Sequence, residues 1–523
     1  MGKVNYQKYA LQLLSVSHLF FGMAFTATTS DSGWALQSFV TEPEIQPPVF
    51  DINKTATTYD AYIFMDTNTN GVASGNLVAT IIDDEGQLIW SAGYSETTNP
   101  SLQTYNGEDV ILYWDGEIAG DIGRGYGKIV VMNTSYVPQW NVTLTDDIYV
   151  SDETYDSYID AHEALISSDD TLLVTVYNTT QADLTSVGYG TAGWILDSMV
   201  FELDIETSEV LWSWSAADHV DQIPFTASHE PISEIPHWAS TAWDYFHINA
   251  IAEYGDGYLI SSRTLWNVYY IEKSTGNVLW YINGADGGNF TLPSDYSAQT
   301  GEELFKYQHD PRVLSTSSTG LVLTLFDNNN FEYGDLLEPN TSYGLEITLN
   351  TEDFTTTLNQ VLYDPADAIH TIAEGDRQTL ANGGVFIDYG FQPYAKEFNS
   401  AGDVIWSANW GTIGDGSYRA RKYVFEGTPT TKPKIAVDGG ATEYTVYVSW
   451  NGATEVTQWE LVGCGPLGTV TIEKTDFETS WSGTCPTGTV HAIALTSSGV
   501  SLGISNSITL TSDSTIANAT SKA

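Results

Sequence analysis

The sequence predicts an all-β protein, a six-bladed β-propeller followed by a small Ig/fibronectin-like β-sandwich. Three observations predict it. Three histidines open three copies of one unit: HEALISSDDTLLVTVY from His162, HINAIAEYGDGYLISSR from His247 and HDPRVLSTSSTGLVLTLF from His309. Each copy reads apolar run, polar turn, apolar run, which is a two-stranded hairpin. A fourth copy, RQTLANGGVFIDYG, has Gln378 at the matching place. A second hairpin signal ends in tryptophan and recurs at Trp90, Trp140, Trp212, Trp280 and Trp406, with a degenerate copy in LEITLNTEDFTTTLNQV. Inner and outer hairpins pair six times along the chain, the mark of four-stranded units arranged radially.

Residues 1–27 read as a secretory signal. Lys3 and Lys8 give a positive start, the stretch from Ala10 to Phe25 is largely apolar, and small residues follow for cleavage. Residues 28–428 carry the propeller, and GTPTTKPKIAV marks a Pro/Thr linker at its end. Residues 429–511 alternate short strands and turns around Trp450, the size of a small sandwich. Cys464 and Cys485 are the two cysteines of the chain and are expected to form one disulfide in an oxidising compartment. Residues 512–523 are Ser/Thr/Ala-rich and expected to be disordered. Seven sequons, at Asn53, Asn133, Asn141, Asn178, Asn289, Asn340 and Asn518, fit a eukaryotic glycoprotein of the secretory pathway, secreted or lumenal.

Charge excludes whole classes of partner. With 18 Lys+Arg against 67 Asp+Glu the formal net charge is −49, which rules against nucleic acid and against an anionic membrane surface. Sixteen Trp and 31 Tyr exceed what a core requires and point to an aromatic small molecule as the ligand. No cofactor or metal is expected, and a monomer is.

Strand starts at equivalent places in a propeller meet at one mouth of the central channel, so distant histidines converge there. Clustered imidazoles suit acid–base work at neutral pH. His247 and His309 are the leading catalytic candidates, with His162 third, flanked by Asp160 and Glu163. Alternation along a strand predicts that Tyr245, His247 and Asn249 face the channel together. Asp244 flanks His247 in turn. Asp310 and Arg312 are read as a structural ion pair. Arg419 is taken as an anion-binding residue, with blade closure as the alternative for it and Arg421. His219, His229 and His237 fall in a polar insertion read as a lid; His491 is structural, and the Asp66–Asn70 run is a turn.

The runs DAHEALISSDDTLLV, VFELDIETSEVLWSWSAADHV, DYFHINAI, QHDPRVL with LTLFDNN, and GGVFIDYGFQPYAKEFNSAGDVIW resemble the fungal secreted arylsulfotransferase-like proteins over most of residues 60–430. The resemblance implies a six-bladed propeller with a funnel-shaped site on its axis. Bacterial relatives transfer sulfate between phenols, without a nucleotide donor, through a sulfated histidine. Residue by residue, His247 in DYFHIN and His309 in QHDPR match family histidines. The family arginine falls at Tyr343, and the last-blade histidine is missing from GDRQTLANGGVFIDYGFQP, where Gln378, Tyr389 and Gln392 stand instead.

Loss of that histidine and arginine leads to the first functional expectation. It is a secondary-metabolite enzyme that dehydrates a phenol- or tropolone-like molecule to a quinone methide. A hetero-Diels–Alder type cyclisation then follows in an aromatic funnel with few cations. Arylsulfotransfer is the second expectation, and a secreted binding protein the third.

Overall fold

The computed structural model describes residues 33–518 apart from 69–76, 94–95, 120–122, 146–147, 152–153, 233–237, 302, 331–340, 441–442, 487 and 511–513. The expected signal peptide, His237 and the Asn340 sequon lie outside the described residues. The chain is all-β, and its first six sheets follow one another as antiparallel four-stranded units. Sheet 2 runs Thr97–Tyr105, Glu108–Ala119, Arg124–Asn133 and Pro138–Val142. Sheet 3 runs Ala164–Ile166, Leu172–Ala182, Gly193–Leu203 and Val210–Ser215. Sheet 4 runs Ile248–Tyr254, Gly257–Ser262, Asn267–Glu272 and Val278–Asn283. Sheet 5 runs His309–Ser317, Gly320–Asp327, Tyr343–Asn350 and Thr355–Leu362. Sheet 6 runs Asp376–Thr379, Val385–Asp388, Tyr394–Phe398 and Val404–Asn409.

Sheet 1 is built from both ends of this array. Its outer strands are Tyr62–Asn68, Leu77–Ile82 and Leu88–Ser91, and its first strand is Arg421–Tyr423, paired Tyr62↔Tyr423 and Phe64↔Arg421. The chain therefore returns to where it began, and its last strand completes the first sheet. The first strands of the six sheets face one another, and the arrangement is propeller-like. Asp51–Lys54 adds a fifth strand to the outer edge of sheet 6.

The tryptophan signal marks one place in the fold. Trp90, Trp140, Trp212, Trp280 and Trp406 all lie on the fourth strand of their sheet. One residue interrupts the register just before this point in all six sheets, at Ile81/Ile82, Val131/Met132, Glu202/Leu203, Tyr270/Ile271, Glu346/Ile347 and Glu397/Phe398. A bulge twists an outer strand, and it recurs at the same place in each sheet. Trp406 shows the use of the ring: it is buried against Phe386, and its indole N–H reaches Asp84 O at 2.7 Å in sheet 1.

Two further sheets follow. One is ordered Glu478–Gly483, Glu443–Ser449, Lys434–Gly440, Ser514–Asn518, and the other Thr469–Glu473, Gln458–Val462, Thr489–Leu495, Ser501–Ile504. Val446, Val448, Trp459, Leu461, Val490 and Ala492 fill a core between them, with the Cys464–Cys485 disulfide at its side. Ser514–Asn518 corrects the expectation of a disordered tail. Those residues pair with Lys434–Gly440, because that edge strand offers free backbone groups. His491 lies on the Thr489–Leu495 strand. Among the described residues, no helix is long and apolar enough to cross a membrane.

The seam between sheets 6 and 1 holds a fully buried ion pair, Lys422 Nζ to Glu397 Oε2 at 2.5 Å. Lys422 also donates to Tyr59 O, and Glu397 accepts the Tyr59 amide. Lys422→Met should therefore strand a buried carboxylate and destabilise the protein by about 3–5 kcal/mol. Lys422→Met with Glu397→Leu should recover most of that loss, and denaturant midpoints read both.

Candidate active site

The three histidines converge because each stands at the entry of the first strand of its sheet. His162 precedes Ala164–Ile166, His247 precedes Ile248–Tyr254, and His309 begins His309–Ser317. The His162 and His247 rings lie 5.1 Å apart, edge to face at 87°. Tyr418 stands 5.4 Å from His162, and Tyr177 6.1 Å from His247.

Each imidazole is fixed through Nδ1. His162 donates to Asp160 Oδ2, His247 to Asp244 Oδ2 and His309 to Asn328 Oδ1, each at 2.6 Å. Asp160 is itself held, since Oδ2 also accepts Thr175 Oγ1 and Oδ1 accepts the Gly125 amide, both at 3.0 Å. Donation from Nδ1 leaves the lone pair of a neutral ring on Nε2. At His309 that lone pair is used, because Nε2 accepts the Glu374 amide at 3.3 Å. At His162 and His247, Nε2 makes no hydrogen bond to a described residue.

Charge tunes the group. Burial pushes His247 below its ordinary 6.5; Asp244 pulls the other way, and His162 and Arg263 reinforce the drop. Burial, followed by the Arg263 charge, pushes His309 well below 6.5. Burial would raise Asp244, but His247, Arg124 and His162 outweigh it and hold the carboxylate below its usual range. Two guanidiniums therefore act on this chamber. Arg263 is buried, donates Nη2–H to Ile372 O at 2.9 Å and lies over the Tyr307 ring. Arg124 opens the third strand of sheet 2.

The backbone is strained here. His247, Tyr307, Asp310, Asn329 and Glu374 all adopt left-handed φ, between 49° and 64°. Non-glycine residues rarely do so, at a cost of about 1–3 kcal/mol each, and such strain gathers at functional sites.

Beyond the histidines lies a buried charge network. Asp310 Oδ1 meets Arg312 Nε at 2.8 Å and Arg421 Nη2 at 2.5 Å, with Arg419 Nε at 3.3 Å. Glu163 holds Arg312 Nη2 at 2.6 Å and Arg419 Nη1 at 3.1 Å, and Asp376 holds Arg421 Nε at 3.0 Å. Burial would raise Asp310, but its three arginines hold it well below the carboxylate range. Arg312 and Arg421 open onto a cavity of about 200 Å³ with Asn99, Ser101 and Gln103. A separate cavity of about 550 Å³ sits between sheet 3 and the 217–225 segment, lined by Asn178, Asp197, Asp218 and Phe225 and away from the imidazoles.

The expected site residues divide. His162, His247 and His309 come together, and Asn249 lies beneath them, its carbonyl accepting Arg419 Nη2 at 2.8 Å. Arg419 is part of the charge network. Tyr245 is a correction. It packs among Phe225, Trp243 and Phe246, because the left-handed φ of His247 breaks the alternation that would have turned it to the channel. Tyr343 packs on Tyr363, and Tyr389 is buried edge-on to Phe326; both serve cores. Gln378 ties sheet 6 to the closing strand, donating to Lys422 O and accepting the Lys422 amide, each at 2.8 Å. Gln392 donates to His370 O. His219 and His229 stack on Trp214 and Trp266. Asp66, from the expected turn, is buried and accepts the Tyr418 amide.

Sequence reasoning missed Arg124, Arg263, Asn328, Glu374 and Tyr418. The funnel with few cations is also corrected, since Arg124 and Arg263 supply charge that Tyr343 does not. Among the described residues, no group of three or more His, Cys, Asp or Glu is arranged to hold a metal ion.

A family model described as Arylsulfotransferase (ASST) matches residues 101–411. No curated protein matches the chain. Among solved structures, the GH32 β-fructofuranosidase BmSUC1 of Bombyx mori is 11% identical, covering 81% of this chain and 88% of that one at a TM-score of 0.29. Apo AztD of Citrobacter koseri is 8% identical, covering 70% and 99% at 0.26. A GH43_1 enzyme of Xanthomonas citri complexed with xylotriose is 11% identical, covering 78% and 91% at 0.22.

The electrostatics give a direct expectation. Arg263 favours the neutral form of both His247 and His309, so Arg263→Gln should raise both pKa values. Ring ¹H–¹⁵N NMR titration of histidine-labelled protein reads the shift; unmoved resonances would place Arg263 out of reach of the chamber.

Proposed function

The chain belongs to the arylsulfotransferase (ASST) family, and on that premise we propose that it transfers a sulfuryl group between two phenols through His247, with no nucleotide donor. One observation carries the reading. His247 gives Nδ1–H to Asp244 at 2.6 Å, leaves Nε2 open, and lies under the influence of Arg263 and beside an Asp244 that also senses Arg124. A nucleophile oriented by a carboxylate and surrounded by fixed positive charge is what this transfer requires.

In the first half-reaction Nε2 bonds to sulfur, the S–O bond to the donor aryl oxygen breaks, and that oxygen keeps the electron pair. Asp244 faces the cationic sulfo-imidazole that forms. Arg124, whose charge acts on Asp244, and Arg263, whose charge acts on His247, supply the positive field for the sulfuryl oxygens. The acceptor phenol then enters the vacated place, loses its proton, attacks sulfur, and returns the electron pair to Nε2. Tyr177 and Tyr418 supply aromatic walls, and sulfate esters of phenols are the substrate class. His162, oriented by Asp160, packs edge-on against His247 and keeps its ring in place.

The same reading takes the six four-stranded sheets as the blades of one propeller, residues 28–428. The two later sheets form an Ig/fibronectin-like sandwich, and the protein is a disulfide-bonded glycoprotein of the secretory pathway. The cyclase of a fungal secondary-metabolite pathway remains the second reading. It is supported by the paired imidazoles beside Tyr177 and Tyr418, whose open Nε2 atoms suit proton removal from a phenol. It has no use for two guanidiniums.

Purified protein given an aryl sulfate and a second phenol should show ping-pong kinetics, and His247→Ala should lower kcat/KM by about 10³-fold or more. His247 acts as the neutral ring, and burial places its pKa below 6.5. The rate should therefore fall as the pH drops below 6.5, where the ring takes up a proton. Absence of transfer across a panel of donors would remove this reading.

A further inference from the structure

We propose that Glu374 is the acid–base residue of the histidine chamber: as a carboxylic acid it gives its proton to the departing phenol oxygen, and as a carboxylate it takes the proton of the incoming phenol. The inference rests on the transfer reading above and supplies what that reading leaves open.

Nδ1 of His247 is committed to Asp244 and burial favours its neutral ring, so the nucleophile offers a lone pair and no proton. A phenol resembles tyrosine, with a pKa near ~10, so its anion is a poor leaving group without a proton donor. The donor has to come from another residue at the chamber.

Glu374 meets that description. It stands just before Asp376–Thr379, the first strand of sheet 6, where no histidine enters. Its backbone is bound into the site, because its amide donates to His309 Nε2 at 3.3 Å and its carbonyl accepts Asn328 Nδ2 at 3.1 Å. Its φ of 64° is a left-handed conformation that an ordinary strand entry does not adopt. A Cβ built on Gly390 would come within 2.5 Å of the Glu374 Cβ, so only glycine fits there.

The carboxyl makes no hydrogen bond to a described residue and stays half-buried. Its field reaches Tyr418, which stands 5.4 Å from His162, and Asp388. Burial first, and the Asp66 charge second, push Glu374 up to about 8. It is therefore a proton donor at neutral pH.

The steps balance. Nε2 of His247 bonds to sulfur, the S–O bond breaks, and the freed oxygen takes the Glu374 proton to leave as a phenol. In the second half the acceptor phenol gives its proton to the Glu374 carboxylate, its oxygen bonds to sulfur, and the electron pair returns to Nε2. One aryl sulfate and one phenol become another aryl sulfate and another phenol.

The test is leaving-group dependence in the full-length protein. Glu374→Gln keeps the shape and loses the transferable proton. It should lower kcat/KM for phenyl sulfate by about 10²-fold or more. For 4-nitrophenyl sulfate, whose phenolate leaves unaided, the change should stay within a few-fold. Glu374→Asp, one methylene shorter, should recover part of the phenyl sulfate rate, and it carries the test if the Gln variant does not fold. Equal loss on both donors, or none on either, would overturn the assignment. A wild-type protein inactive on both donors would instead overturn the transfer reading on which it rests.

Discussion

The structure depends on one buried carboxylate, Asp310, and the three guanidiniums gathered on it. Arg312 comes from its own strand in sheet 5, and Arg419 and Arg421 come from the segment that closes sheet 1. Glu163 adds the entry of sheet 3 and Asp376 that of sheet 6, and the Ile251 carbonyl and amide of sheet 4 complete the bonding of Arg312 and Glu163. Burying this much charge is unfavourable unless every partner is present, so the network is all-or-none. It fixes the entries of five sheets at once.

The same network sets the chemistry by adjacency. Glu163 follows His162 in sequence, Asp310 follows His309, and Asn249 lies two residues after His247. One member of each set faces the charges and the other faces the chamber. Imidazoles from three sheets are thereby tied at fixed separation through residues that adjoin them in sequence. The distribution of arginine follows the same logic. The chain has a net charge of −49 and six arginines, Arg124, Arg263, Arg312, Arg377, Arg419 and Arg421. All but Arg377 lie at the histidine chamber or in the network beyond it. These arginines are gathered inside the ring of sheets, where Asp310, Glu163 and Asp376 pair three of them.

Much of this was legible in the sequence. Hairpin spacing gave the successive sheets, the tryptophans marked their outer strands, and matching places in the repeats brought three histidines together. Tyr245 failed because the alternation rule assumes extended backbone, and His247 is left-handed. Gln378 failed because the place matching a histidine in a repeat is also the place where the ring of sheets closes, and there Lys422 takes up both ends of its amide. Arg124 and Arg263 carried no local signal: an arginine at a strand end looks the same whether it faces solvent or a buried chamber. Tyr418 and Glu374 were hidden likewise, since their roles come from the closing segment and from a left-handed turn before sheet 6. Tertiary closure, which no local pattern encodes, decided these positions.

The central claim is that His247 is the nucleophile of a covalent transfer. Its most direct test is the mass of the protein after exposure to an aryl sulfate with no acceptor present. The account predicts an added ~80 Da, one sulfo group, on the peptide that carries His247, lost again when a phenol is supplied. An unmodified protein that still transfers sulfate, or an adduct confined to another residue, would contradict it.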